Sequence, residues 1–331
     1  MGLSIFNKRD KVINIEIKDY VIRYTEVASN DSLSVHSMGE YLLPSGIIRD
    51  GKIEDPFALT AILEQCVDEW KIARRKVRFL VPDQHVLVRR LKIEQEIADD
   101  EIEGHLYLQL GTSIHLPFEE PVFDVIVLGE KDGQKEILIF AASEQIVKQY
   151  SDLLQECKLK PSIFDIVPLA NYRLYHSVYD CHEGEHIMFL HFDLYGVNVS
   201  VFENDKPSFM RYLPISSDKE QWEIVNDSLG FQRWEYKVDK DQYYEFLIDM
   251  YTEIDRVVTF YKFNVSEEQQ EISSLVIMGD HPFLSTIVEQ MKNRFNMPVR
   301  SLLDTDRSNE KIRNIDYQYY LPIGLALRGG D

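Results

Sequence analysis

Cysteine is scarce in this chain: Cys66, Cys157 and Cys181 are the three in 331 residues. Their wide spacing excludes a disulfide framework and fits a reducing cytosol. Glycine and proline are also sparse, at 15 and 12, which excludes collagenous and low-complexity classes. Positive charge is short, since 36 Lys and Arg face 56 Asp and Glu, a formal charge of −20. A chain of that sign repels phosphate backbones, so nucleic acid is not an expected partner. Long apolar runs are missing too. The most apolar stretch, 186–202, is broken by His191, Asp193, Gly196 and Asn198, short of the roughly 18 residues that a spanning helix needs. Lys8, Arg9 and Asp10 follow the first few apolar residues at once, so no signal-peptide core is expected. Phe6 argues against myristoylation at Gly2. The expected location is the cytoplasm.

What is present is ordinary globular material, 44% hydrophobic and 28% charged, long enough for about two cores. Three strand-like runs, 12–17, 20–27 and 33–42, are rich in β-branched and aromatic residues and are separated by turn formers. Asp55-Pro56 then reads as an N-cap and first helical residue, followed by Leu59, Ile62, Leu63, Cys66, Val67 and Trp70 at helical spacing. Strands are expected at 77–81, 86–93, 122–128, 136–142 and 162–166, with helices at 97–110, 144–157 and 169–175. The opening pattern returns as strands at 187–193, 197–203 and 208–214. Helices are then expected near 220–229 and at 241–263, 283–295 and 319–327, with strands at 275–278 and 298–301. A strand–strand–strand–helix unit thus begins near residue 12 and again near residue 187.

Six colinear segments carry a family resemblance. The start Met1-Gly2-Leu3 with Phe6-Asn7-Lys8 is one, and the run Leu43-Pro44-Ser45-Gly46 through Asp50-Gly51 to Asp55-Pro56 is another. Lys76 to Arg90, Leu116-Pro117-Phe118-Glu119-Glu120, Glu253-Ile254-Asp255-Arg256 with Phe260-Tyr261, and Ile323-Gly324-Leu325-Ala326-Leu327-Arg328-Gly329 complete the set. Together they resemble the PilM family, actin-like cytoplasmic proteins of type IV pilus assembly and relatives of the cell-division protein FtsA. The resemblance implies an α/β, actin-like ATPase fold of two duplicated halves. Its subdomains would be 1A (10–75 with 159–180), 1C (76–158), 2A (186–230 with 264–331) and 2B (231–263). It also implies a partner, the N-terminal cytoplasmic peptide of the inner-membrane protein PilN, lying between subdomains 1A and 1C. Other pilus assembly components are implied partners, and self-association stays open. The protein would be peripheral to the inner face of the membrane through that partner.

The same resemblance implies ATP and Mg²⁺ as cofactors, held by two hairpin turns where glycine lets backbone N–H groups reach phosphate. The first turn here reads Glu16-Ile17-Lys18-Asp19-Tyr20, without glycine, and Asp19 would place negative charge toward a triphosphate. The second reads Asp193-Leu194-Tyr195-Gly196, with Tyr195 at the family's glycine, and the adenosine-side glycines reduce to Gly279-Asp280-His281. These positions argue for a degenerate nucleotide site and no resident cofactor; a working ATPase is the alternative. Glu16 and Asp193 are left as carboxylates for Mg²⁺ or as solvated strand ends.

Other candidates are weaker. Cys181-His182-Glu183-Gly184-Glu185-His186 gathers metal-ligand types, but no second Cys/His pair lies nearby and a polar linker is the better reading. The basic clusters Arg74, Arg75, Lys76, Arg78 and Arg89, Arg90, Lys92 suit either an anionic contact or a protected strand edge. Leu116, Pro117 and Phe118, with Arg89 and Arg90, are the expected partner-binding residues, because an apolar turn beside a sheet edge suits capture of an extended peptide. No nucleophile arrangement stands out.

Overall fold

The computed structural model describes residues 12–29, 33–179, 184–216, 219–238, 240–266, 270–305, 312 and 315–329. The chain opens with an antiparallel meander of β1 (Ile13–Lys18), β2 (Val21–Ser29) and β3 (Ser34–Leu42). A small hairpin, β4 (Ile48–Arg49) and β5 (Lys52–Ile53), leads to α1 (Pro56–Trp70) and β6 (Lys76–Leu80). Next come β7 (Val86–Glu94), α2 (Ile102–Gln109), β8 (Pro121–Lys131) and β9 (Gln134–Ser143). They are followed by α3 (Glu144–Glu156), β10 (Lys160–Asp165) and α4 (Val167–Val178). A second meander, β11 (His186–Phe192), β12 (Gly196–Glu203) and β13 (Lys206–Pro214), precedes the hairpin β14 (Trp222–Asn226) and β15 (Gln232–Tyr236). Helix α5 (Lys240–Phe260) ends in a π-helical turn, Tyr261–Val265. Then follow β16 (Ser274–Gly279), α6 (Leu284–Arg294), β17 (Val299–Ser301), α7 (Leu302–Thr305) and α8 (Tyr320–Ala326).

Contacts divide the chain into two units. The first takes the described residues of 1–80, 150–179 and 305–331, so its boundary falls inside α3. Its sheet has the order β10-β6-β1-β2-β3, with β1, β6 and β10 parallel. Strand β1 is buried on both faces, which its run of Ile13, Ile15 and Ile17 with polar residues between would not suggest. Asp55 caps α1 as its side chain accepts the Ala58 N–H at 2.9 Å, and Pro56 holds the first helical position. Leu59, Leu63, Cys66 and Val67 are the buried stripe of that helix. Each leucine or valine of this stripe contributes about 1.5–3 kcal/mol when fully buried. Helix α8 packs on α4, β1 and β2.

The second unit takes the described residues of 81–149 and 180–304. Its larger sheet has the order β13-β12-β11-β16-β17, again three meander strands followed by two parallel ones. Read from β3 to β10 and from β13 to β17, the two five-stranded sheets are the same arrangement built twice. A separate sheet, β7-β9-β8, carries α2 on one face, where Ile102 and Leu106 pack with Ile93, Phe123, Ile137 and Ile139.

Two expectations change. Residues 220–229 form no α-helix: a short 3-10 turn, Lys219–Gln221, gives way to the strand Trp222–Asn226, paired with Gln232–Tyr236, because Trp222, Trp234 and Tyr236 are buried along one side. The helix expected at 97–110 starts at Ile102, since Lys135 Nζ takes the Ile97 carbonyl at 2.7 Å and the Asp99 carboxylate at 2.5 Å. Contact grouping cuts the chain at other places than the expected subdomain bounds. Strand β6 pairs in parallel with β1, so 76–80 falls with the first sheet rather than with 81–149. The C-terminal helix falls with the first unit rather than the second, through its packing on α4 and β1.

Candidate functional site

The first hairpin turn is occupied by its own unit. Asp19, at the β1–β2 turn, accepts the backbone N–H groups of Asp50 and Gly51 at 2.7 and 3.0 Å. The Gly51 carbonyl in turn accepts the Tyr150 hydroxyl at 3.1 Å. Burial pushes the Tyr150 phenol well above its ordinary range, with the Asp19 charge adding to the effect, so this hydroxyl stays protonated. Asp19 therefore anchors the β4–β5 hairpin. Glu16, three residues earlier and on β1, is buried and lies 2.9 Å from Lys18 Nζ. Across the meander Glu16 faces Arg23 on β2, and Arg23 faces Glu40 on β3 at 2.5 Å. Two carboxylates and two cations thus alternate along one sheet face, with Lys18 committed to Glu16 in that array.

The second turn lies between β11 and β12. The Asp193 N–H donates to the Gly196 carbonyl at 2.8 Å, and the Tyr195 carbonyl accepts the Ile215 N–H at 2.9 Å. Tyr195 is buried, and the Lys219 ammonium stands 4.9 Å from its ring centre. Gly196 answers a packing need: a Cβ there would lie 2.2 Å from the Tyr212 hydroxyl and 2.9 Å from the Leu213 carbonyl oxygen. Asp193 Oδ1 lies 3.3 Å from His191 Nε2, and both residues are buried.

Gly279 ends β16 with φ +119, and a Cβ on it would meet the Phe192 carbonyl oxygen at 2.1 Å. Beyond it, the Asp280 and His281 N–H groups both reach Phe192 O, at 3.1 and 3.3 Å. His281 is wholly buried, with Tyr243, Trp222 and Phe283 around it at ring distances of 5.5, 5.8 and 5.7 Å. Its Nδ1 accepts the Phe283 N–H at 3.0 Å, so Nε2 carries the proton that meets the Tyr243 oxygen at 2.7 Å. Burial lowers the imidazole to about 4, against the opposing pull of Asp280 and Asp193, which keeps it neutral. His281 was singled out with Gly279 and Asp280, but its aromatic enclosure by Trp222, Tyr243 and Phe283 was missed. The alternation through Trp222 and Tyr236 was the available signal.

The expected partner-binding residues separate into two faces of β7. Arg89 is exposed and donates to the His115 carbonyl at 3.2 Å, beside Leu116, Pro117 and Phe118. Leu116 and Phe118 are half-buried against the core under α2, and Pro117 is exposed. Arg90, one residue on, points the other way and pairs with Glu203 at 3.5 Å. The basic clusters are largely engaged: Arg75 with Glu26, Arg78 buried against the Ala326 carbonyl, and Lys92 with Glu136. Residues 181–183 of the Cys/His-rich segment lie outside the described residues, as does the turn at 30–32.

The model of the type IV pilus assembly protein PilM matches residues 14–330. The chain belongs to the PilM family. A solved PilM-PilN type IV pilus biogenesis complex is similar in fold, with a TM-score of 0.75 at 18% identity over 96% of this chain and 98% of that one. The ethanolamine utilization protein EutJ from Carboxydothermus hydrogenoformans is similar at TM-score 0.51 and 10% identity, over 96% of this chain and 89% of that one. MreB 5 of Spiroplasma citri bound to AMPPNP gives 0.51 and 8%, covering 96% of each chain. These likenesses show an actin-like fold for this PilM-family chain. No curated protein sequence matches it.

Proposed function

We propose that this PilM-family protein is a non-catalytic scaffold of type IV pilus assembly, held at the inner membrane by the N-terminal peptide of a PilN-type protein. The observation that carries the reading is the use of Asp19 as a hydrogen-bonded anchor for Asp50 and Gly51. A family member that binds ATP would need that turn open to phosphate. At the second turn a buried Tyr195 takes the glycine position, and beyond Gly279 the His281 ring is enclosed by aromatic neighbours. ATP and Mg²⁺ do not fit these residues, and we derive no catalytic step through them. We retain the four-subdomain division as part of the same reading.

Calorimetric titration with ATP and Mg²⁺ tests the first half of the proposal: no binding is expected, and micromolar binding with turnover would establish the working ATPase instead. That second reading draws on Asp193, a carboxylate kept at the second turn next to Gly196. For the partner, the surface is the exposed Arg89 and Pro117 with the half-buried Leu116 and Phe118. The complementary experiment is binding of the full chain to a synthetic N-terminal peptide of the PilN-type protein from the same source. Arg89→Glu and Phe118→Asp should each weaken it, and unchanged binding in both would remove the surface from consideration. Arg89 is exposed, so its variant keeps the test informative if Phe118→Asp disturbs the core.

A further inference from the structure

We propose that His191, Asp193 and Asp280 form a direct binding site for a first-row divalent transition cation, without any nucleotide. One ligand atom from each residue lies within 4.8 Å of the other two. His191 Nε2 and Asp193 Oδ1 are 3.3 Å apart, close to the roughly 3.4 Å that separates two tetrahedral donors on one ion. The backbone fixes this convergence. His191 pairs with Met278 and Phe192 with Gly279 in the parallel β11–β16 register, and the Asp280 N–H is tied to Phe192 O at 3.1 Å. The glycine at 279 lets the two strand ends come that close. Ligands carried on two hydrogen-bonded strand ends are held without needing the metal to gather them.

The charge pattern agrees. Two carboxylates converge on one imidazole, and His191 and Asp193 are 3% and 6% exposed. Two carboxylate oxygens and one imidazole nitrogen are a donor set that suits such a cation. An imidazole in the set selects zinc, iron, nickel or a similar ion over magnesium, which prefers an all-oxygen shell and retains its water. Three protein donors leave coordination positions open to water or to a carboxylate ligand.

The experiment is calorimetric titration of the metal-stripped full chain with zinc chloride, and separately with magnesium chloride, in the absence of nucleotide. One saturable zinc site is expected, with magnesium weaker. His191→Ala and Asp280→Asn should each weaken zinc more than about tenfold. Asp280 is only half-buried, so its variant serves if His191→Ala melts early. A cobalt(II) spectrum should show d–d bands and no thiolate charge-transfer band, separating this site from any cysteine. Absence of saturable zinc binding, binding indifferent to both variants, or a thiolate band would overturn the assignment. None of these outcomes depends on ATP or on a partner peptide.

Discussion

Gly324 of α8 stands so close to α4 that a Cβ on it would lie 2.1 Å from the Ala170 carbonyl oxygen and 2.7 Å from its carbon. The obstacle is backbone, so no side chain can rotate away. Gly324→Ala should therefore destabilise the protein by about 1–3 kcal/mol, the range for overpacking a tight contact. Urea denaturation would register this as a lower midpoint at unchanged slope. A variant as stable as the parent would mean that α8 can lift off α4 at little cost.

Asp19 makes a second test of stability. Its carboxylate serves two backbone donors, at Asp50 and Gly51, so Asp19→Ala should cost about 1–3 kcal/mol. Asp19→Asn keeps one carbonyl acceptor and should cost less. Amide hydrogen exchange at residues 50 and 51 should accelerate in the alanine variant before exchange in β1 does.

The buried His281 makes stability depend on pH. Its folded value, about 4, lies below the ordinary 6.5, so the unfolded state binds the extra proton. Its contribution is full above pH 6.5 and is lost as pH falls toward 4, a loss of about 3 kcal/mol across that window. Melting temperatures between pH 7 and pH 4 should decline accordingly. His281→Gln should flatten that part of the profile, whatever its absolute stability.

Cys66 and Cys157 are both buried, and burial pushes each thiol up to about 12. The thiolate is the reactive form, so both should resist iodoacetamide in the folded protein at pH 8 and react on unfolding in urea. Peptide mass mapping would read the two sites separately. Rapid native labelling at either position would contradict the packing around α1 and the end of α3.

The duplicated meander was legible because each strand pair is local and bounded by turn residues, and it reappears as two sheets of one order. The α1 start was legible for a similar reason, since a cap and its proline act within one turn. Asp19 was not. Its partners lie 31 and 32 residues away, and nothing in the local pattern points to them. The β14–β15 hairpin was missed for a different reason. Its strands alternate properly, but Leu229 near the tip is exposed, which extends an apparent helical period through the turn. At Gly196 and Gly279 the residue type was visible and its cause was not. Close neighbours, Tyr212 and Phe192, explain both without a ligand.

Strands β7 and β13 are the outer strands of their two sheets, and they pack alongside each other within the second unit. Among the described residues no ladder joins them, while Arg90 and Glu203 bridge from one sheet to the other at 3.5 Å. Each edge therefore hides the other from neighbouring molecules. Resistance to intermolecular strand pairing, and hence to aggregation, rests here partly on one salt-sensitive ion pair.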